Sequence, residues 1–372
     1  MRIGIITLPL HTNYGGVLQA FALQAVLREL GHDAIHLQLD EVVPVPKGFR
    51  GVCIRSKRSL KRLLGQNVEV DRERRICDEL PVVGGNIFRF IGERMEVRHF
   101  PSYSDVPVDE FDAFVVGSDQ IWRPLYSHNL TDAFLGFTRG ADVRRVAFAP
   151  SFGVDHCEYG ALAKRRCGAL LSAFDAVSVR EESGIKLCKE MFGVEAVCMP
   201  DPTMLLDSEK YLKDVPVPEK PYVFAYILDK DPARGSILVK ASGTCKAEPV
   251  VFNSVDPRGL GPVEERIQPS VEDWLSGIAA STLVVTDSFH ACVFSILFHR
   301  PFLVISNDGR GLSRIESLLS KFGLSDRLLV LRKGESPNVD SIVSSPIDWD
   351  KVDSRLSDLR VSAFGFLKSA LS

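Results

Sequence analysis

Residues 2–39 narrow the fold most. "RIGIITL" (2–8) is an apolar strand candidate closed by the polar turn "HTNYGG". "VLQAFALQAVLREL" then sets Val17, Phe21, Leu23, Leu27 and Leu30 broadly at helical spacing, with Gly31 as a stop. "AIHLQLD" follows, alternating Ile35, Leu37 and Leu39 against His36 and Gln38. A strand, a helix and a strand this closely spaced make a β-α-β unit. Such a unit opens a doubly wound parallel sheet, so an α/β fold is expected.

Later stretches repeat the pattern of a buried strand running into a polar turn. They are "FDAFVVGSD" (111–119), "RRVAFAPSFG" (144–153), "FDAVSVREESG" (174–184), "YVFAYIL" (222–228), "LVVTD" (283–287) and "PFLVIS" (301–306). A chain of 372 residues is too long for one ordinary core. Two Rossmann-like domains facing a cleft are predicted, over residues 1–172 and 173–345. Residues 346–372 form a C-terminal helix expected to pack back on the first domain. Residues 41–80 break the rhythm with Pro44 and Pro46, then Lys57, Arg58, Lys61, Arg62, Arg72, Arg74 and Arg75. One reading is a solvated basic helical excursion near 45–80. The other is docking of the basic region 47–75 onto an anionic polymer or a membrane surface.

Composition excludes several classes. The chain is 45% hydrophobic and 25% charged, with no apolar run long enough to span a bilayer. The N-terminal stretch lacks a signal-peptide pattern, and a cytoplasmic protein is expected. A net charge of −3 argues against general nucleic-acid binding. Eight cysteines are scattered without a C-x-x-C pair, which suits reduced thiols, and metal ligands are not clustered.

In open parallel sheets, ligands bind beyond the carboxyl ends of the strands. The turns there nominate Thr12, Asn13, Tyr14, Gly15 and Gly16; Ser118, Asp119 and Gln120; Ser151 and Phe152; Arg180; and Asp287, Ser288 and His290. His290 has the most specific setting, in the first turn of the apolar helix "FHACVFSILF". Ser288 or Asp287 can cap that helix and leave its positive end facing an anion, beside an imidazole able to donate a proton. A core histidine satisfied by its neighbours is the plain alternative. Arg180 offers a planar fork for carboxylate or phosphate, with a salt bridge to Glu181 or Glu182 as its alternative. Tyr14-Gly15-Gly16 lacks both the G-x-G-x-x-G pattern and the Walker lysine. The residues alone therefore reach an anion-binding, two-domain α/β protein.

Taken together, "TNYGGVLQAFALQ" (12–24), "FVVGSDQIW" (114–122), "AFAPSFG" (147–153), "SVREESG" (178–184), "DPTMLL" (201–206) and "TDSFHACVFSILFHRPFLVI" (286–305) resemble the polysaccharide pyruvyl transferase family. The resemblance implies a fold like the GT-B glycosyltransferases. It also implies transfer of the pyruvyl group of phosphoenolpyruvate onto two hydroxyls of a saccharide, in cell-surface or exopolysaccharide biosynthesis. Phosphoenolpyruvate is then a donor substrate, and no cofactor is expected. By motif, Arg180 and His290 correspond to the donor-site arginine and histidine. Ser288 and Phe289 join them at the donor, with Arg314 as a second anion contact. Asn13, Tyr14, Gly15, Asp119 and Gln120 would face the acceptor, a saccharide that is free, lipid-linked or polymeric. Where many relatives carry glycine after the histidine, this chain has Ala291, whose methyl would narrow the backbone's approach to the donor. The alternatives are a glycosyltransferase using a nucleotide sugar and a non-catalytic saccharide-binding member.

Overall fold

Strand β1 (Arg2–Ile6) is buried along almost its whole length, as a central parallel strand must be when helices cover both faces. It pairs in parallel with β2 (Asp33–Leu39) on one side and β4 (Ala113–Val116) on the other. With β3 (Val97–Phe100), β5 (Arg144–Ala147), β6 (Ala176–Val179) and β7 (Val197–Cys198), these strands form a seven-stranded sheet ordered β3-β2-β1-β4-β5-β6-β7. A second sheet holds β8 (Tyr222–Tyr226), β9 (Glu248–Val251), β10 (Leu283–Thr286), β11 (Phe302–Ile305) and β12 (Leu328–Leu329), ordered β12-β11-β10-β8-β9. Both orders reverse beside the first strand of their sheet, which creates the crevice where doubly wound folds bind ligands. The computed structural model describes residues 1–40, 45–46, 48–127, 129–229, 231–252, 259–307, 311–331 and 338–372. Pro44 and Lys47, noted in the basic region, lie outside the described residues.

Six helices position the candidate site and its surroundings: α1 (Tyr14–Glu29), α2 (Gly48–Leu63), α3 (Arg72–Val83), α4 (Phe289–Leu297), α5 (Leu312–Phe322) and α6 (Trp349–Ala370). One hydrophobic cluster runs through both halves, from Ile3 and Val17 on the first sheet to Trp274 and Phe294 on the second, and on to Leu367 of α6. Helix α6 reaches the first domain directly. The Phe366 ring lies 6.1 Å from that of Phe148, and the Arg360 guanidinium donates to the carbonyls of Met204 and Leu206 and pairs with Asp207.

The domain division differs from the one expected. β6 pairs with β5, Val146 opposite Ala176 and Ala147 opposite Val177, and so continues the first sheet. The break thus falls after β7 rather than at residue 172, and Arg180 belongs to the first domain. The sequence marks where a strand starts, whereas membership of a sheet is fixed by its long-range partner, which leaves no local trace.

Candidate functional site

Helix α4 follows β10 through Thr286-Asp287-Ser288. The Thr286 hydroxyl donates to the Tyr226 carbonyl and accepts the Ser288 N–H, which fixes the turn. Ser288 caps the helix, its hydroxyl accepting the Ala291 N–H. Asp287 does not cap; it accepts the N–H groups of Leu228 and Asp229 and the Asn307 amide, tying the ends of β8, β10 and β11 together. The helix is buried on all sides, which explains its unbroken apolar character.

The turn delivers His290 to the first domain, where its ring lies against the backbone of Gly15. A Cβ on Gly15 would sit 2.0 Å from the His290 Nδ1. The His290 Nε2 lies 3.6 Å from Oδ2 of Asp201. That same oxygen accepts from Arg180 Nη1 at 2.5 Å. Arg180 Nη2 donates to Asp119 at 3.1 Å, and Arg314 Nη1 stands 3.7 Å from the same Asp119 oxygen. The Phe289 ring carries the Arg180 guanidinium 4.5 Å from its centroid and that of Arg314 at 5.6 Å. Arginines favour such aromatic faces where water is excluded.

Asp119, Arg180, Glu181, Asp201, His290 and Arg314 are all buried, so their charges interact through little solvent. Burial works to raise the Asp201 carboxyl, but the His290 contact and the Arg180 charge outweigh it and hold the group well below the ordinary aspartate range. Asp119 is also lowered: Arg180, His290 and Arg314 overcome its desolvation. Glu181 goes the other way. Burial raises it despite Arg180 and Arg314, while one carboxylate oxygen accepts from the Ser151 hydroxyl and the Phe152 N–H. Burial and the like charge of Arg180 lower Arg314 to about 10. The result is a balanced, desolvated cluster with cationic and acidic groups on both sides of the domain boundary. Groups so placed can hold an anion and move a proton.

The structure thus brings together His290, Arg180, Phe289, Arg314 and Asp119 around one point. It gives Arg180 the partners Asp119 and Asp201 rather than the adjacent Glu181 or Glu182. Helices α4 and α5 and the helix Val271–Ala279 of the second domain pack against the carboxyl edge of the first sheet, so three of the expected acceptor residues are occupied otherwise. Tyr14 is fully buried, stacked on Trp274 at 5.6 Å, with its hydroxyl donating to the Pro269 carbonyl at 2.7 Å. It seals the domain interface and offers no face to a sugar. Gly15 lies beneath His290, and Asp119 is spent on the two arginines. Asn13 is exposed and caps α1, and Gln120 is half-buried. Ala291 is fully buried in the hydrophobic cluster, with its N–H held by the cap. Tyr14→Phe keeps the stacking and loses one buried hydrogen bond. It should lower unfolding stability by about 1 kcal/mol in urea titrations.

Asp201 is the residue that the reading of single turns missed. It lies three residues beyond the two-residue strand β7 and caps the short turn Pro202–Met204, and in the sequence only the "DPT" stretch marks it. Its Oδ1 accepts from the backbone N–H and hydroxyl of Thr203, leaving Oδ2 for Arg180 and His290. Ser118, whose hydroxyl lies 3.5 Å from Oδ2, completes the surround.

One solved structure shares this architecture. The solved structure of the glycotransferase of kitacinnamycin is similar over 99% of this chain and 97% of its own, at 14% identity and a TM-score of 0.50, which is a likeness of fold alone. A UDP-GlcNAc 2-epimerase from Neisseria meningitidis matches over 100% of this chain and 99% of its own, at 9% identity and a TM-score of 0.49. The fold is GT-B-like, two Rossmann-like domains meeting at a cleft. Comparison with curated protein sequences returns no significant match. A sequence model described as polysaccharide pyruvyl transferase matches residues 13–309, a span that takes in Asp119, Arg180, Asp201 and His290. The chain belongs to the polysaccharide pyruvyl transferase family.

Proposed function

We propose that the protein transfers the pyruvyl group of phosphoenolpyruvate to two hydroxyls of a saccharide, forming a cyclic ketal and releasing phosphate. The observation that carries this reading is the shared oxygen of Asp201. Arg180 from one domain and His290 from the other both reach it, so one three-carbon dianion can be met by both. The buried His290 Nε2 stands 3.6 Å from that oxygen, beyond hydrogen-bond length, so the nitrogen keeps its capacity to engage a ligand while facing the carboxylate.

In the reaction, a proton goes to the methylene carbon of phosphoenolpyruvate and makes carbon 2 electrophilic. The first hydroxyl adds there and loses its proton. Phosphate leaves with the electron pair of its C–O bond, and the second hydroxyl adds to the same carbon, loses its proton and closes the ring. His290 supplies or accepts the proton, held by Asp201. Arg180 and Arg314, clamped on Phe289, offset the negative charge of donor and departing phosphate. Because the cluster is buried, the domains part to admit substrate and close to exclude water. The acceptor enters from the side of Asn13 and Gln120. Phosphoenolpyruvate is a cytoplasmic metabolite, and the reading places the enzyme there, serving exopolysaccharide or cell-surface polymer assembly.

The test is phosphate release from phosphoenolpyruvate across a panel of saccharides, beside nucleotide release from nucleotide sugars. Release of phosphate only with an acceptor is expected, with a loss of about 100-fold in His290→Ala and in Arg180→Ala. Nucleotide release without phosphate release would make the protein a glycosyltransferase. Full activity in His290→Ala would remove the proton-transfer role.

A further inference from the structure

Helix α2 stands the usual amphipathic pattern on its head. Its side toward the protein is held by ions: Arg55 pairs with Asp71 at 2.5 Å, and Arg58 meets Glu73 through two hydrogen bonds of 2.6 and 2.7 Å. Gly51 on that side is buried, and a Cβ there would fall 2.2 Å from the Pro46 carbonyl oxygen. The apolar side chains point the other way. Phe49 is 86% exposed, Val52 60%, Leu60 58% and Leu63 85%, and Leu64, just past the helix, is 72% exposed. At 3.6 residues per turn these five fall within an arc of roughly 120°, opposite Gly51, Ile54 and Arg58. The same arc holds the exposed Cys53 and Ser56, which separate Phe49 and Val52 from Leu60, Leu63 and Leu64. An apolar face on a helix fixed by its polar side is not a packing accident, because isolated exposed apolar residues scatter and these do not.

Charge identifies the occupant. Arg55, Arg58 and Arg75 of the basic region are neutralised by Asp71, Glu73, Glu69 and Glu79. Lys57 and Lys61 are exposed and follow one edge of the stripe, and neither they nor the exposed Arg62 make an ion pair among the described residues. Residues 48–65 contain no Asp or Glu. Apolar side chains long enough to enter the acyl boundary, rimmed by cations at headgroup level, fit an anionic lipid surface. A polyanion in solution would engage the cations and leave the stripe wet. We propose that α2 is a membrane-docking helix that lays Phe49, Val52, Leu60, Leu63 and Leu64 into the interface of an anionic bilayer. Among the described residues no helix is long and apolar enough to cross a membrane, so docking is peripheral. The helix is reached from the carboxyl end of β2, the edge of the sheet that also carries the turns of the candidate site. The proposal stands independently of the donor chemistry.

The experiment is sedimentation of the full chain with vesicles of phosphatidylcholine alone, and with vesicles containing about one-third phosphatidylglycerol. Binding to the anionic vesicles only is expected, weakened by high salt. The stripe variant Phe49→Ser/Leu60→Ser/Leu63→Ser and the rim variant Lys57→Glu/Lys61→Glu/Arg62→Glu should each lose at least about tenfold in affinity. Every substituted side chain is exposed, so the melting temperature should hold, and phosphate release with a soluble acceptor should be unchanged. Wild-type protein that stays in the supernatant would overturn the proposal. So would a stripe variant that binds as well as wild type while the rim variant does not, which would mark a polyanion site. A dimer in light scattering that the stripe variant dissolves, without vesicle binding, would assign the face to a second copy of the chain.

Discussion

Gly15→Ala should unfold at a markedly lower temperature than wild type and lose at least as much activity as His290→Ala, whereas Gly16→Ala should behave as wild type. The two glycines are adjacent in sequence and in the same first turn of α1. A Cβ on Gly15 would meet His290 at Nδ1 (2.0 Å), Cγ (2.2 Å) and Cβ (2.7 Å). Rotating the ring clears the first two contacts but not the third, so α1 and α4 must move apart. Overpacking of this kind costs about 1–3 kcal/mol, and here it also pulls His290 from Asp201. A Cβ on Gly16 would approach only the Asn13 side chain, no nearer than 3.4 Å, and alanine favours the helix. Scanning fluorimetry and the phosphate-release assay on both variants make the comparison. Equal melting temperatures for the two would show that His290 does not occupy the space above Gly15.

Asp201→Ala should be the more destabilising change of the pair. It leaves Arg180 with Asp119 as its one carboxylate hydrogen-bond partner among the described residues, in a buried site, and stripping one side of a buried ion pair costs about 3–5 kcal/mol. His290 loses its neighbour as well, so activity should fall at least as far as in His290→Ala. Asp201→Asn keeps the shape and removes the charge, and should recover part of the stability but not the activity. The carboxyl's folded value lies below its unfolded one, so its stabilisation is present above the ordinary aspartate range and is lost as pH falls. Wild type should therefore weaken steeply from about pH 5 downward, and Asp201→Asn should show a shallower acid slope. Urea titrations at neutral and acid pH measure both. Parallel slopes would mean that Asp201 carries no special charge interaction in the folded state.

Much of this molecule is legible along the chain, for reasons of local physics. Strands such as "RIGII" and "LVVT" announce themselves by composition and by the polar turns that end them. The cap and apolar helix around His290 follow from a serine and three turns of buried side chains. Those signals suffice for the fold class and for the positions of Arg180 and His290 at strand ends, and the family motifs name them further. What only the tertiary structure decided is partnership. Arg180 belongs to the first sheet because β6 pairs with β5, and its fork closes on Asp119 and Asp201, residues 61 and 21 positions away. Tyr14 is a seal and not a sugar platform because Trp274 lies flat against it across the domain boundary. The outward stripe of α2 is written in the sequence as an ordinary amphipathic pattern. Which side faced solvent was settled by ion pairs to Asp71 and Glu73, because a helix's periodicity defines its faces but only its neighbours determine which one is buried.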